Sequence, residues 1–187
     1  MRRIKLQVQI SLDGYMGGPD GEMGWMTLPW SGDLEDHVDA LSDSVDTIML
    51  GRRLATGFIP AWESRPEGED EASIDWMIDT PKVVVSNSLT ESPWKNATVV
   101  GGDLTEIVAE LKARPGGDVI VYGGSTLVTT LIARELIDEL HLFVNPASLG
   151  AGQPVFPGMD HHQRFRTVAA RVFDCGITGL HLEPNRS

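Results

Sequence analysis

The chain of 187 residues contains a single cysteine, Cys175, so it cannot form an internal disulfide or a thiol-rich metal site. Basic residues are scarce. There are 15 Lys and Arg against 27 Asp and Glu, giving a net charge of −12. A nucleic-acid or anionic-membrane partner needs a basic footprint, and this balance argues against both. It leaves room for a small phosphorylated ligand, for which a few local positive groups suffice. No apolar run approaches the roughly 18 residues of a membrane span. The start, Met1-Arg2-Arg3, lacks the apolar core of a signal peptide. Together these absences predict a cytoplasmic protein. The Walker pattern, Gly-x-Ser-x-Gly and Gly-x-Gly-x-x-Gly are all missing, which gives no support to a P-loop enzyme, that type of serine hydrolase or a fingerprinted Rossmann domain. His37, His141, His161, His162 and His181 show no metal-ligand spacing, and no metal is expected.

What is present is a strand–glycine–helix pattern. Val119 to Tyr122 is a short apolar run that ends in Gly123-Gly124, and after Ser125-Thr126 a helix is expected over Leu127 to Ala133. Such a junction lets backbone approach a ligand closely, and the free N–H groups of a helix start favour an anion. Ile4, Leu6, Val8 and Ile10 alternate with polar residues, the period of a half-buried strand. Further strands are expected over Thr47 to Leu50, Lys82 to Val85, Ala97 to Val100 and Ile137 to Val144. One helix is expected from near Ser31 or Asp33 with Leu34, Val38 and Leu41 on its apolar face. Ile74 to Ile78 reads as a helix end closed by Pro81, and a further helix is expected over Leu104 to Leu111 with Asp103 as its N-cap. Residues 13–21, 63–73 and 145–158 read as loops. Phe165 to Phe173 and Gly176 to Leu182 read as a closing hairpin about Asp174-Cys175-Gly176. Strands alternating with helices imply a mostly parallel sheet covered on both faces, with antiparallel strands added by the hairpin, in one domain over 1–187.

In such sheets ligands sit beyond the carboxyl ends of the strands. Four segments fall there: Asp13 to Gly17, Gly51 to Arg53, Ser86 to Ser88 and Gly123 to Thr126. Arg52 and Arg53 either hold a phosphate, for which guanidinium geometry is suited, or are solvated surface residues. Ser86-Asn87-Ser88 either bonds a phosphate or ribose or caps its own turn. Asp13 either contacts substrate or makes an Asx-type turn before Gly14. Asp33, Glu35 and Asp36 either place a proton donor toward the cleft or form a solvated first helical turn.

Ile10-Ser-Leu-Asp-Gly-Tyr15, Ile48-Met-Leu-Gly-Arg-Arg53 and Val121-Tyr-Gly-Gly-Ser-Thr-Leu-Val128 occur in the order and spacing of the dihydrofolate-reductase-like superfamily. The stretch from Leu136 to Phe156 resembles the reductase domain of the riboflavin-biosynthesis deaminase–reductase, the RibD C-terminal family. The resemblance covers nearly the whole chain. It implies a three-layer α/β fold with a twisted, mostly parallel sheet of about eight strands, and an NADPH-dependent reductase acting on a small molecule. By the resemblance, Gly51, Arg52 and Arg53 would face the cofactor phosphates, and Ser86 and Asn87 would lie near the 2′-phosphate. Gly123, Gly124, Ser125, Thr126 and Leu127 would cradle the pyrophosphate, and Met16 and Gly17 would border the nicotinamide. The family substrate is a 5-amino-6-(5-phosphoribosylamino)uracil, with a pterin as the alternative. Asp13 or Glu35 would help protonation; Pro29-Trp30 aligns the region so that Glu35 falls nearest the reductase acid. Leu54 stands where the family often has threonine, and Asn87 where an arginine often follows the serine. These two departures keep open a non-catalytic nucleotide-binding module. The zinc signature of the deaminase is missing, so the resemblance is to a stand-alone reductase-type domain. Family members often pair as dimers, and the C-terminal hairpin offers an edge for one.

Overall fold

The computed structural model describes residues 1–156, 158 and 161–185. Its centre is an eight-stranded sheet of β1 (Ile4–Ile10), β3 (Val45–Gly51), β4 (Lys82–Val85), β5 (Ala97–Val100), β6 (Asp118–Gly123), β7 (Glu139–Val144), β9 (Phe165–Val172) and β10 (Thr178–Pro184). The order across the sheet is β5-β4-β3-β6-β1-β7-β10-β9. The first six strands of that order run parallel. β10 pairs antiparallel with β7 and with β9, so the expected hairpin closes one edge. Its turn is set by Gly176 at φ +88°, a left-handed conformation that glycine adopts without cost.

Among the described residues five helices flank the sheet: α1 (Gly32–Ser42), α2 (Arg52–Glu63), α3 (Glu71–Asp79), α4 (Leu104–Ala113) and α5 (Ser125–Ala133). α4 shows the logic of their placement. Leu104, Ile107, Val108 and Leu111 recur at helical spacing and are all buried, in one core with Ile4, Leu6 and Val121 of the sheet. A second core joins Ala55 and Ile59 of α2 to Ile48, Leu50, Val84 and Ile120. A third, smaller one joins Leu34 of α1 to Phe143, Phe173 and Ile177.

Several boundaries depart from the sequence reading. β1 is not half-buried. It lies between β6 and β7, and Lys5 and Gln7 are buried with their apolar neighbours. Lys5 is tolerated because its Nζ donates to Ser44 Oγ at 2.7 Å and pairs with Asp118 at 3.0 Å. α2 carries Pro60 in its third turn, which obscured the helix. The acidic excursion ends at Asp70, whose carboxylate caps α3 by accepting from Ser73 N. α5 begins at Ser125, two residues before the apolar face does. The segments read as loops at 13–21 and 145–158 meet: β2 (Tyr15–Gly17) pairs antiparallel with β8 (Gln153–Pro154) as a separate ribbon.

Candidate functional site

The carboxyl ends of β3 and β6 lie side by side, and each runs straight into a helix through a glycine. Gly51 is the N-cap of α2 and Gly124 the N-cap of α5, and neither start receives a side-chain cap. In α5 the first helical bond is Val128 N to Gly124 O at 3.0 Å. The N–H groups of Ser125, Thr126 and Leu127 therefore have no partner within the helix, and the first turn of α2 is alike.

The two starts touch. A Cβ on Gly51 would lie 3.3 Å from Gly124 N and 3.5 Å from Leu127 Cβ. A Cβ on Gly123, which sits at φ +136°, would meet Leu54 Cδ2 at 3.1 Å. Glycine at these positions is thus a packing requirement as well as a way to expose backbone. Leu54, a departure at the sequence level, walls the Gly123-Gly124 segment. Beside it, Arg52 and Arg53 are exposed and make no ion pair among the described residues. Two open helix starts and two uncommitted guanidinium groups gather donors and positive potential at one spot, in a chain that is otherwise strongly acidic.

The remaining predicted residues fall around this spot with mixed outcomes. Ser125 and Thr126 stand in the first turn of α5, Thr126 exposed. The Leu127 side chain is buried in the core, so only its backbone N–H can serve a ligand. Ser86 lies at the end of β4 with its hydroxyl buried and occupied, accepting from the N–H groups of Ser88 and Leu89, both at 3.1 Å. It caps its own turn. Asn87 is exposed; its Oδ1 accepts from Gly102 N at 2.8 Å, which leaves its amide donors. Met16 packs on the main core, and Gly17 is buried in the β2–β8 ribbon. There a Cβ on Gly152 would fall 2.2 Å from Gly17 O.

Sequence reasoning overlooked Gly101-Gly102, although they repeat the strand–Gly-Gly–helix signal of 123–124. A Cβ on Gly101 would be 2.9 Å from Ser86 O, so the ends of β4 and β5 are held together as closely as those of β3 and β6.

The carboxylates sort differently from expectation. Asp13 accepts from Ser11 Oγ at 2.7 Å, Ser148 Oγ at 2.9 Å, Leu149 N at 3.1 Å and Gly150 N at 2.7 Å. The Ser11 hydroxyl, then these backbone donors, hold its pKa far below the usual carboxylate range. It remains ionised, has no proton to give near neutral pH, and clasps the loop after β1 to residues 148–150. A role for Asp13 in protonation does not fit these surroundings. On α1, Asp33 accepts from Ser31 Oγ at 2.6 Å and pairs with Arg171 of β9 at 3.0 Å. Its pKa is lowered by the Ser31 bond first and by Arg171 in part. Glu35 and Asp36 are exposed. The segment leading into α1 is anchored at the end of β7, where Asn145 Oδ1 accepts from Thr27 N at 2.7 Å.

No helix among the described residues is long and apolar enough to cross a membrane.

Comparison with known proteins bears on the family and the fold. The model of the RibD C-terminal domain matches residues 2–178. The uncharacterized protein YyaP of Bacillus subtilis is 32% identical over 183 residues, 96% of this chain and 93% of that protein. The riboflavin biosynthesis protein RibD of Corynebacterium ammoniagenes is 25% identical over 154 residues, which is 80% of this chain but 44% of the longer protein. Among solved structures, the Thermotoga maritima deaminase/5-amino-6-(5-phosphoribosylamino)uracil reductase superposes with a TM-score of 0.71 at 16% identity, over 98% of this chain and 56% of that one. Enterococcus faecalis dihydrofolate reductase, complexed with NADP(H), superposes with a TM-score of 0.64 at 18% identity, over 98% of this chain and 96% of that one. The fold is dihydrofolate-reductase-like, and the chain belongs to the RibD C-terminal domain family.

Proposed function

We propose that the protein is an NADPH-dependent reductase of the RibD C-terminal type, acting on a ribosylaminopyrimidine of the 5-amino-6-(5-phosphoribosylamino)uracil class. One observation carries the reading: two uncapped helix starts, at Gly51 and Gly124, abut beside Arg52 and Arg53. The residues present fit a dinucleotide, because side chains at Gly51 and Gly123 would crowd the cradle that backbone N–H groups line.

The first-turn N–H groups of α2 and α5 hold the phosphates, and Arg52 and Arg53 neutralise them. The Asn87 amide donors and the exposed Ser88 serve the 2′-phosphate, with Ser86 fixing the turn that presents them. Met16 and Gly17 border the nicotinamide end, and the Asp13 clasp keeps their loop in place. The bound dinucleotide supplies a hydride; the protein supplies orientation, dry contact and charge. Glu35, exposed on the first turn of α1, is the carboxylate assigned to the substrate side, and water delivers the proton with its help.

The test follows NADPH oxidation with the phosphoribosylaminouracil and with dihydrofolate, and compares NADH. Turnover of the first substrate with a preference for NADPH supports the reading. Turnover of dihydrofolate alone moves the substrate to a pterin. Saturable NADPH binding without turnover of either makes the protein a nucleotide-binding module and overturns the reductase.

A further inference from the structure

Glu139, His141 and His181 converge far from the glycine cradle, on the sheet face where β10 joins β7. Glu139 and His141 are two apart on β7 and therefore share a face, and His181 of β10 is in register with His141. His141 Nε2 lies 2.9 Å and His181 Nε2 3.3 Å from the same oxygen, Oε2 of Glu139. The imidazoles stack at 4.3 Å between centroids. The other carboxylate oxygen, Oε1, is held by the Arg3 guanidinium at 2.6 Å. Glu139 and His141 are buried, 5% and 7% exposed, and His181 is half-buried.

Two buried polar atoms here make no hydrogen bond. His181 Nε2 points toward Glu139 without donor geometry, and Gln7 Oε1, on the β1 residue in register with His141, has no partner. Gln7 is itself 8% exposed. Leaving such atoms unsatisfied is costly, and natural proteins rarely do so without an ion or water.

We infer that Glu139, His141 and His181 form a binding site for a single divalent transition-metal ion, zinc by ligand preference. Two imidazoles and one carboxylate are a ligand set for such ions, and they leave a further position for water or for Gln7 Oε1. The three ligand atoms lie within 4.8 Å of one another. Metal–ligand bonds of about 2.0–2.2 Å close that span with small side-chain shifts. Arg3 orients the carboxylate from outside, as carboxylate ligands require. The ion would cross-link β10 to β7 and is structural. Linear spacing hid this site because its third ligand is contributed across the sheet.

The experiment titrates the untagged, chelator-stripped full chain with Co²⁺ and then Zn²⁺. Bound Co²⁺ is followed by its visible absorption and Zn²⁺ by the melting temperature. The wild type should take up one equivalent of Co²⁺, release it to Zn²⁺ and melt higher with Zn²⁺. His181→Ala should weaken binding by more than about tenfold, and His162→Ala, an exposed histidine elsewhere, should leave it unchanged. Glu139→Gln, which keeps the side chain's volume, should behave as His181→Ala and serves if that variant does not fold. Absence of saturable binding by the wild type, or equal binding by wild type and the folded variant, would overturn the site.

Discussion

Four helices of this molecule begin in two contrasting ways, and α1 starts at Ser31 with no side-chain cap either. α3 and α4 start at Asp70 and Asp103, whose carboxylates accept from the N–H groups of the first turn. α2 and α5 start at Gly51 and Gly124, with no cap at all. A side-chain cap is worth about 1 kcal/mol against alanine but only about a few tenths against glycine. Glycine here also answers the close approach of the two starts, so leaving them open costs the fold little. An uncapped start is not by itself a sign of a ligand; what sets α2 and α5 apart is that their starts abut beside Arg52 and Arg53.

The strongest way to break the contrast is to give α2 the start that α4 has. Gly51→Asp places a carboxylate over the open N–H groups and a Cβ against Gly124 N. NADPH affinity measured by nicotinamide fluorescence should fall at least about a hundredfold, roughly 3 kcal/mol. Removing positive charge is milder. Arg52→Ala and Arg53→Ala should each weaken NADPH about tenfold, the scale of one charge-assisted hydrogen bond, with the loss shrinking at high salt. Removing a cap from the other class does the reverse: Asp70→Ala should cost about 1 kcal/mol in chemical unfolding while leaving NADPH affinity unchanged.

The smallest effect concerns pH. The folded pKa of Asp13 is depressed, so its contribution is present above the unfolded carboxyl value, near 4, and is lost as pH falls toward the lower folded value. The stability gap between wild type and Asp13→Asn should be flat from about pH 5 to 8 and close in stronger acid. A gap that opens between pH 6 and 8 would show that Asp13 holds its proton near neutrality, contrary to its hydrogen bonds.

The sheet and the glycine cradle were legible because they depend on local signals. Apolar runs marked the strands, and Gly51, Gly123 and Gly124 stood at their ends. Asp103 announced its cap by position alone. What escaped depends on partners distant in sequence. Lys5 and Gln7 read as solvent-facing, yet β1 is covered on both sides and Ser44 and Asp118 satisfy the lysine. Asp13 read as a turn or a catalytic acid, and its partners Ser148 to Gly150 lie more than a hundred residues on. The β2–β8 ribbon joins two glycine-rich stretches with no alternation of their own. Gly101-Gly102 was a missed local signal.

Backbone amide NMR during an NADPH titration tests the open-helix account most directly. The account predicts that the amides of Arg52 to Leu54 and of Ser125 to Leu127 shift together with one binding isotherm, while those of Glu71 to Ser73 at the capped start of α3 stay in place. Shifts confined to other surfaces, or none at saturating NADPH, would contradict it.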